Sequence, residues 1–92
     1  MKSKISDVLY YTIDNNDYWI YSLKNIEDNF YKYYLLSMED NNPTITDITN
    51  PIDFLQKLNI TPVEIYENSM EYIRFLAIKN IAEKKLLNVI KR

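Results

Sequence analysis

The sequence predicts an α+β fold: an antiparallel three- or four-stranded sheet, then a short helix and a long C-terminal helix packed on one face. Three observations carry this. Two runs of β-branched and aromatic residues, 8–13 (Val-Leu-Tyr-Tyr-Thr-Ile) and 18–23 (Tyr-Trp-Ile-Tyr-Ser-Leu), flank a short polar stretch. At Asn50-Pro51 the alternating pattern gives way to a helical one. Beyond Pro62 the chain contains neither proline nor glycine.

The first two runs read as strands joined by Asp14-Asn15-Asn16-Asp17, a hairpin turn built without glycine, since Asn and Asp best tolerate positive φ. Residues 26–38 admit two readings. Asn25-Ile26-Glu27-Asp28 would cap a helix, but Phe30, Tyr31, Tyr33 and Tyr34 favour a third strand over 30–38. Glu39-Asp40-Asn41-Asn42-Pro43 is a turn, and residues 44–49 form a short, polar edge strand. The sheet thus covers about residues 8–49 of a single domain, 1–92.

Asn50 as cap and Pro51 at the first helical position open a helix over 51–58. Thr61-Pro62-Val63-Glu64 reads as a capping box opening a second helix over 62–90. On it, Ile65, Tyr66, Met70, Tyr72, Ile73, Leu76 and Ala77 make a broad apolar face for the sheet. Phe75, Ile78, Ala82, Leu86 and Val89 make a second stripe with coiled-coil spacing. Three coverings fit it: the first helix, a fold-back near Lys79-Asn80, or a second copy of the chain in a homodimer.

The chain has no histidine, cysteine or glycine. That removes the usual general base, the thiolate, Cys/His zinc sites and the glycine-rich phosphate loops. An A/T-rich coding sequence accounts for much of this bias, given the abundance of Asn, Lys, Ile and Tyr. The acidic pairs Asp14/Asp17, Glu27/Asp28 and Glu39/Asp40 read as solvated turn residues. The serines lack a histidine for a triad. We therefore expect a non-enzymatic chain with no cofactor and no metal. No apolar run reaches the length of a membrane span, and zero cysteine suits a reducing cytoplasm.

Seven of nine tyrosines lie between residues 10 and 34. Alternation puts aromatics on both sheet faces, and helices on one face would leave the other exposed. Tyr10, Tyr18, Trp19, Tyr21, Tyr31 and Tyr33, with the acidic Asp14, Asp17, Glu39 and Asp40, are the candidate partner-binding residues. Residues 1–72 carry a net charge of −7 and residues 73–92 a net of +5. These features suggest a small protein-binding module with a basic protein partner. Two types fit: a stoichiometric inhibitor of a nuclease or other nucleic-acid-binding protein, as in phage or mobile-element anti-defence, and a toxin-neutralising immunity protein. The alternative is a nucleic-acid-binding regulator using Lys84, Lys85, Lys91 and Arg92 for phosphate contacts.

Overall fold

The computed structural model describes residues 4–24 and 31–90, with side chains for 4–23 and 31–85. Glu27, Asp28, Phe30, Lys91 and Arg92, and the side chains of Leu86 and Val89, lie outside the described residues. The order of elements is β1 (Ile5–Ile13), β2 (Asn16–Lys24), β3 (Tyr31–Glu39), β4 (Asn42–Ile48), α1 (Pro51–Leu58), β5 (Val63–Tyr66) and α2 (Met70–Ile90). The five strands form one antiparallel sheet in the order β4-β3-β2-β1-β5. The α+β class is as expected, with one strand more.

Both tight hairpins solve the missing-glycine problem in the same way. Asp14 and Asn15 have φ of 52° and 67°, and Asp40 and Asn41 have 51° and 61°. Two successive left-handed residues match the right-handed twist of the flanking strands. Pro43 lies within β4 rather than in the turn, and β4 is an edge strand, where a missing N–H is tolerated.

α1 has the expected bounds. The Asn50 side chain accepts from the N–H groups of Ile52 and Asp53, and Asn59 closes the helix at φ 55°. The second helix starts later than expected. Residues 63–66 are not its first turn but an edge strand on β1, with Tyr66 opposite Ile5 and Val63 opposite Tyr10. The N-cap is Ser69: its Oγ accepts from the Tyr72 N–H at 3.1 Å and donates to the Tyr66 carbonyl at 2.6 Å.

The helices pack on opposite faces, not on one. On the first face, Phe75, Ile78 and Ala82 of α2 pack on Val8, Trp19, Tyr21, Leu36 and Ile65. On the second, Leu55 and Phe54 of α1 pack with Tyr11, Ile20, Leu9, Tyr18 and Leu35. The stripe offered as a dimer seam is therefore, at Phe75, Ile78 and Ala82, the one that meets the sheet. The stripe assigned to the sheet turns outward on α2, with Met70 79 % and Ile73 53 % exposed. The late start of α2 explains the exchange, because Ile65 and Tyr66 belong to a strand and do not set the helix phase.

Helix length limits how much of each face can be covered. Nine-residue strands run about 30 Å. α2, with 21 residues, matches that length at about 31 Å. α1, with eight, reaches only about 12 Å. Half of the second face stays open.

Two stability tests follow from these positions. Ser69→Ala should cost about 1 kcal/mol through loss of the cap, while Thr61→Ala should change stability by less than about 0.5 kcal/mol. Phe75→Ala should cost about 3–5 kcal/mol, and Ile73→Glu, on the outward stripe, less than about 0.5 kcal/mol. Chemical denaturation of the four variants measures all of these.

Candidate functional site

The open half of the second face lies at the end of the sheet away from the two tight turns. Pairing of β1 with β2 extends from Ile13–Asn16 only as far as Leu9–Ile20. On its other edge β1 stays paired with β5, at Tyr10–Val63, Leu9–Glu64 and, across an irregularity, Ile5–Tyr66, while β2 stays paired with β3 as far as Lys24–Tyr31. The sheet forks. Ser6 fills the irregularity between β1 and β5. Its buried hydroxyl donates to the Ile65 carbonyl at 2.7 Å and accepts from the Val8 N–H at 3.3 Å. A backbone donor that would otherwise seek a partner strand is thus satisfied within β1, and the side chain ties β1 to β5.

The mouth of the fork is a depression of about 630 Å³. Ile5 and Leu9 supply apolar wall, Tyr31 and Tyr33 supply rings, and Ser6 and Ser22 are the small residues between them. Asp7 and Glu64 supply two carboxylates, and among the described residues no basic side chain lines the depression. Neither acid makes an ion pair among the described residues. Tyr31 is 61 % and Tyr33 36 % exposed, and Ile5 and Tyr66 are also exposed beside it.

The expected contact residues, Asp17 aside, separate into four groups. Trp19 and Tyr21 are buried in the core and present no contact surface, because alternation points both at α2. Tyr10 and Tyr18 are half-buried and engaged, their hydroxyls donating to Asp17 at 2.5 Å and to Glu39 at 2.9 Å. Asp14, Glu39 and Asp40 are exposed around the tight turns, at the end of the sheet opposite the fork. Of the named aromatics, Tyr31 and Tyr33 stand in the open depression. Sequence reading missed Ile5, Asp7 and Glu64. Asp7 and Glu64 are isolated acids in an acidic chain, and Glu64 stood in a presumed helix. The one legible signal was the alternation of Val63, Ile65 and neighbouring polar residues, a strand pattern only four residues long.

Asp17 is engaged within the fold. It accepts from both Tyr10 and Arg74, and Arg74 also lies over the Trp19 ring at 5.5 Å. The Arg74 hydrogen bond holds the Asp17 carboxyl below its usual range, opposed by partial burial. Desolvation, then the bond to Asp17, pushes the Tyr10 hydroxyl up to about 12. Lys84 and Lys85 are exposed on α2, and Lys85 donates to Asn42 at 2.9 Å. Among the described residues no three acidic groups converge as a metal site would require, and no helix is long and apolar enough to cross a membrane.

The folded-state pKa of Asp17 is depressed, so its contribution is fully present above the ordinary carboxylate value. It is lost as pH falls through the folded value, in the window below about 4. Arg74 is partly exposed, so Asp17→Asn should cost only about 1 kcal/mol at neutral pH. It should also flatten the stability loss of the parent below about pH 4, which urea denaturation at a series of pH values measures.

Comparison with known proteins returns no match, whether to a family model, to a curated protein or to a solved structure.

Proposed function

We propose that the chain is a non-enzymatic protein-binding module that engages a basic protein surface through the open half of its second sheet face. It would act stoichiometrically, as an inhibitor of a nuclease or other nucleic-acid-binding protein or as a neutraliser of a toxin. The observation that carries this reading is the fork depression. It combines exposed tyrosines, aliphatic walls and two carboxylates that make no ion pair among the described residues. Exposed tyrosine provides contact area at low entropy cost, and exposed acids supply complementarity to a basic surface. A surface that binds nucleic acid is basic, and that makes it a natural target for such a domain. The absence of histidine and cysteine agrees with binding rather than turnover. Asp14, Glu39 and Asp40, at the other end, add long-range attraction for the same partner.

The test begins with capture of the partner from the native host by the tagged chain, followed by titration of the purified pair. A sharp equivalence point is expected. Tyr33→Ala should weaken binding by about 2 kcal/mol or more, and Ile5→Ala by about 1 kcal/mol, with both variants folded. Inhibition by sub-stoichiometric amounts, or full affinity in both variants, would refute the proposal. Direct, salt-sensitive binding of the chain alone to RNA or DNA would favour the basic helix instead.

A further inference from the structure

We infer that the outward stripe of α2 is a weak self-association seam, covered by the same stripe of a second copy running antiparallel. The seam is separate from the docking surface proposed above, because α2 lies on the first sheet face and the fork opens on the second.

Met70 is 79 %, Ile73 53 % and Ile81 49 % exposed, and Ala77 between them is exposed as well. At 100° per residue these four share one side of the helix, opposite Phe75 and Ala82, which pack on the sheet. The sheet already holds the inner side of α2, so this apolar row has to be covered from outside the fold.

Spacing and charge select a second copy as the cover. Met70, Ile73, Ala77, Ile81 and Lys84 are separated by 3, 4, 4 and 3 positions. The row reads the same from either end, which is what a contact between identical surfaces requires. When two antiparallel helices cross at Ala77, each Ile73 meets Ile81 of the second copy, and the small side chain at the crossing lets the axes approach. Each Lys84 then lays its methylene stem across Met70 of the other helix. Its ammonium reaches the N-terminal end of that helix, where Glu67 and Glu71 stand. The two macrodipoles oppose each other, which is the favourable arrangement. A parallel pair would instead set Lys84 against Lys84 and align the dipoles. A basic protein is also a poor cover, because exposed Arg74, Lys84 and Lys85 border the row.

The size of the seam sets its strength. From Met70 to Ile81 the row runs only about 16 Å along the axis. One such helix from each copy buries less than a standard interface, and a dissociation constant of about 10–100 µM is expected. At the lower concentrations used for denaturation the chain is monomeric, so Ile73→Glu costs little stability there. In the dimer the helices form the inner layers and the sheets the outer ones. Both open second faces therefore point outward, and the dimer presents two copies of the fork.

The test is a sedimentation series on the full chain from about 1 µM to about 1 mM. The parent should show a reversible monomer–dimer equilibrium. Ile73→Glu and Ile81→Glu should each raise the dissociation constant at least about tenfold, with the circular dichroism and denaturation midpoint of the parent. Lys84→Glu should raise it about fivefold, and addition of Glu67→Lys to that variant should recover most of the loss. Because the chain has no cysteine, single thiols report orientation. A short bismaleimide should link copies of the Ala77→Cys variant and leave the Lys84→Cys variant largely unlinked. Should a glutamate variant unfold, the charge exchange and the thiol pair decide. A parent that stays monomeric at about 1 mM, a dimer that survives both glutamate substitutions, or equal linking of the two thiol variants would overturn the inference. If the parent is monomeric and Ile73→Glu abolishes capture of a host protein, the stripe belongs to that protein and the self-association seam falls.

Discussion

Aromatic and aliphatic residues on both faces of the sheet are the constraint from which the rest follows. Trp19, Tyr21 and Leu36 point one way, and Tyr11, Ile20 and Leu35 point the other. Each set needs a layer of its own. α2 reaches across its face from the β5 edge to the β4 edge, but α1 ends after two turns. Asn59, left-handed, ends it, and the next residues return the chain to the sheet as β5. The open half-face is therefore a consequence of where the chain spends its helical residues. It lies where β1, still paired with β5, is no longer paired with β2, so incomplete coverage and incomplete pairing coincide at one end.

The opposite end is held differently. Tyr10, Asp17 and Arg74 connect β1, β2 and α2 through one carboxylate, and the Arg74 guanidinium lies over Trp19 beneath it. Rings stack around this centre: Tyr10 lies 5.5 Å from Trp19, and Phe75 meets Tyr21 edge-on at 5.3 Å. Such contacts add to simple burial and depend on orientation. They fix the helix on the first face, with the Trp19 Nε1 left without an acceptor among the described residues. One end of the sheet is thus tightly cross-linked and the other is splayed.

Much of this was legible in the sequence where a residue type has one dominant use. Asp14-Asn15 and Asp40-Asn41 between strand-like runs announced hairpins, and Asn50-Pro51 announced a helix start. Each signal is local, and each held. The errors arose where a local signal had a competing use. Thr61-Pro62-Val63-Glu64 satisfies a capping pattern, but Val63 and Ile65 also satisfy a strand, and pairing with β1 decided between them. That choice moved the helix start to Ser69 and exchanged the inward and outward stripes of α2. The partition of helices between faces was not legible at all, because alternation reports two apolar faces without saying what covers either. The site suffered for the same reason. Tyr31 and Tyr33 were recoverable from composition, whereas Asp7 and Glu64 acquire meaning only when β5 is laid against β1.

The separation of the acids has a consequence for recognition. Asp14, Glu39 and Asp40 surround the tight turns, about a strand length of 30 Å from the fork. The screening length at physiological salt is about 8 Å, so on the proposed reading these charges would contribute little to the energy of a contact made at the fork. They would act on the approach of a basic partner and on its orientation. Contacts with Tyr33 and the aliphatic wall at the fork would govern how long it stays. A partner with one extended basic face would sense both ends, and a smaller one seated on the open face would sense only the fork. Association rate and lifetime would then depend on different residues of the same small sheet, and salt would separate them, because screening weakens the first far more than the second.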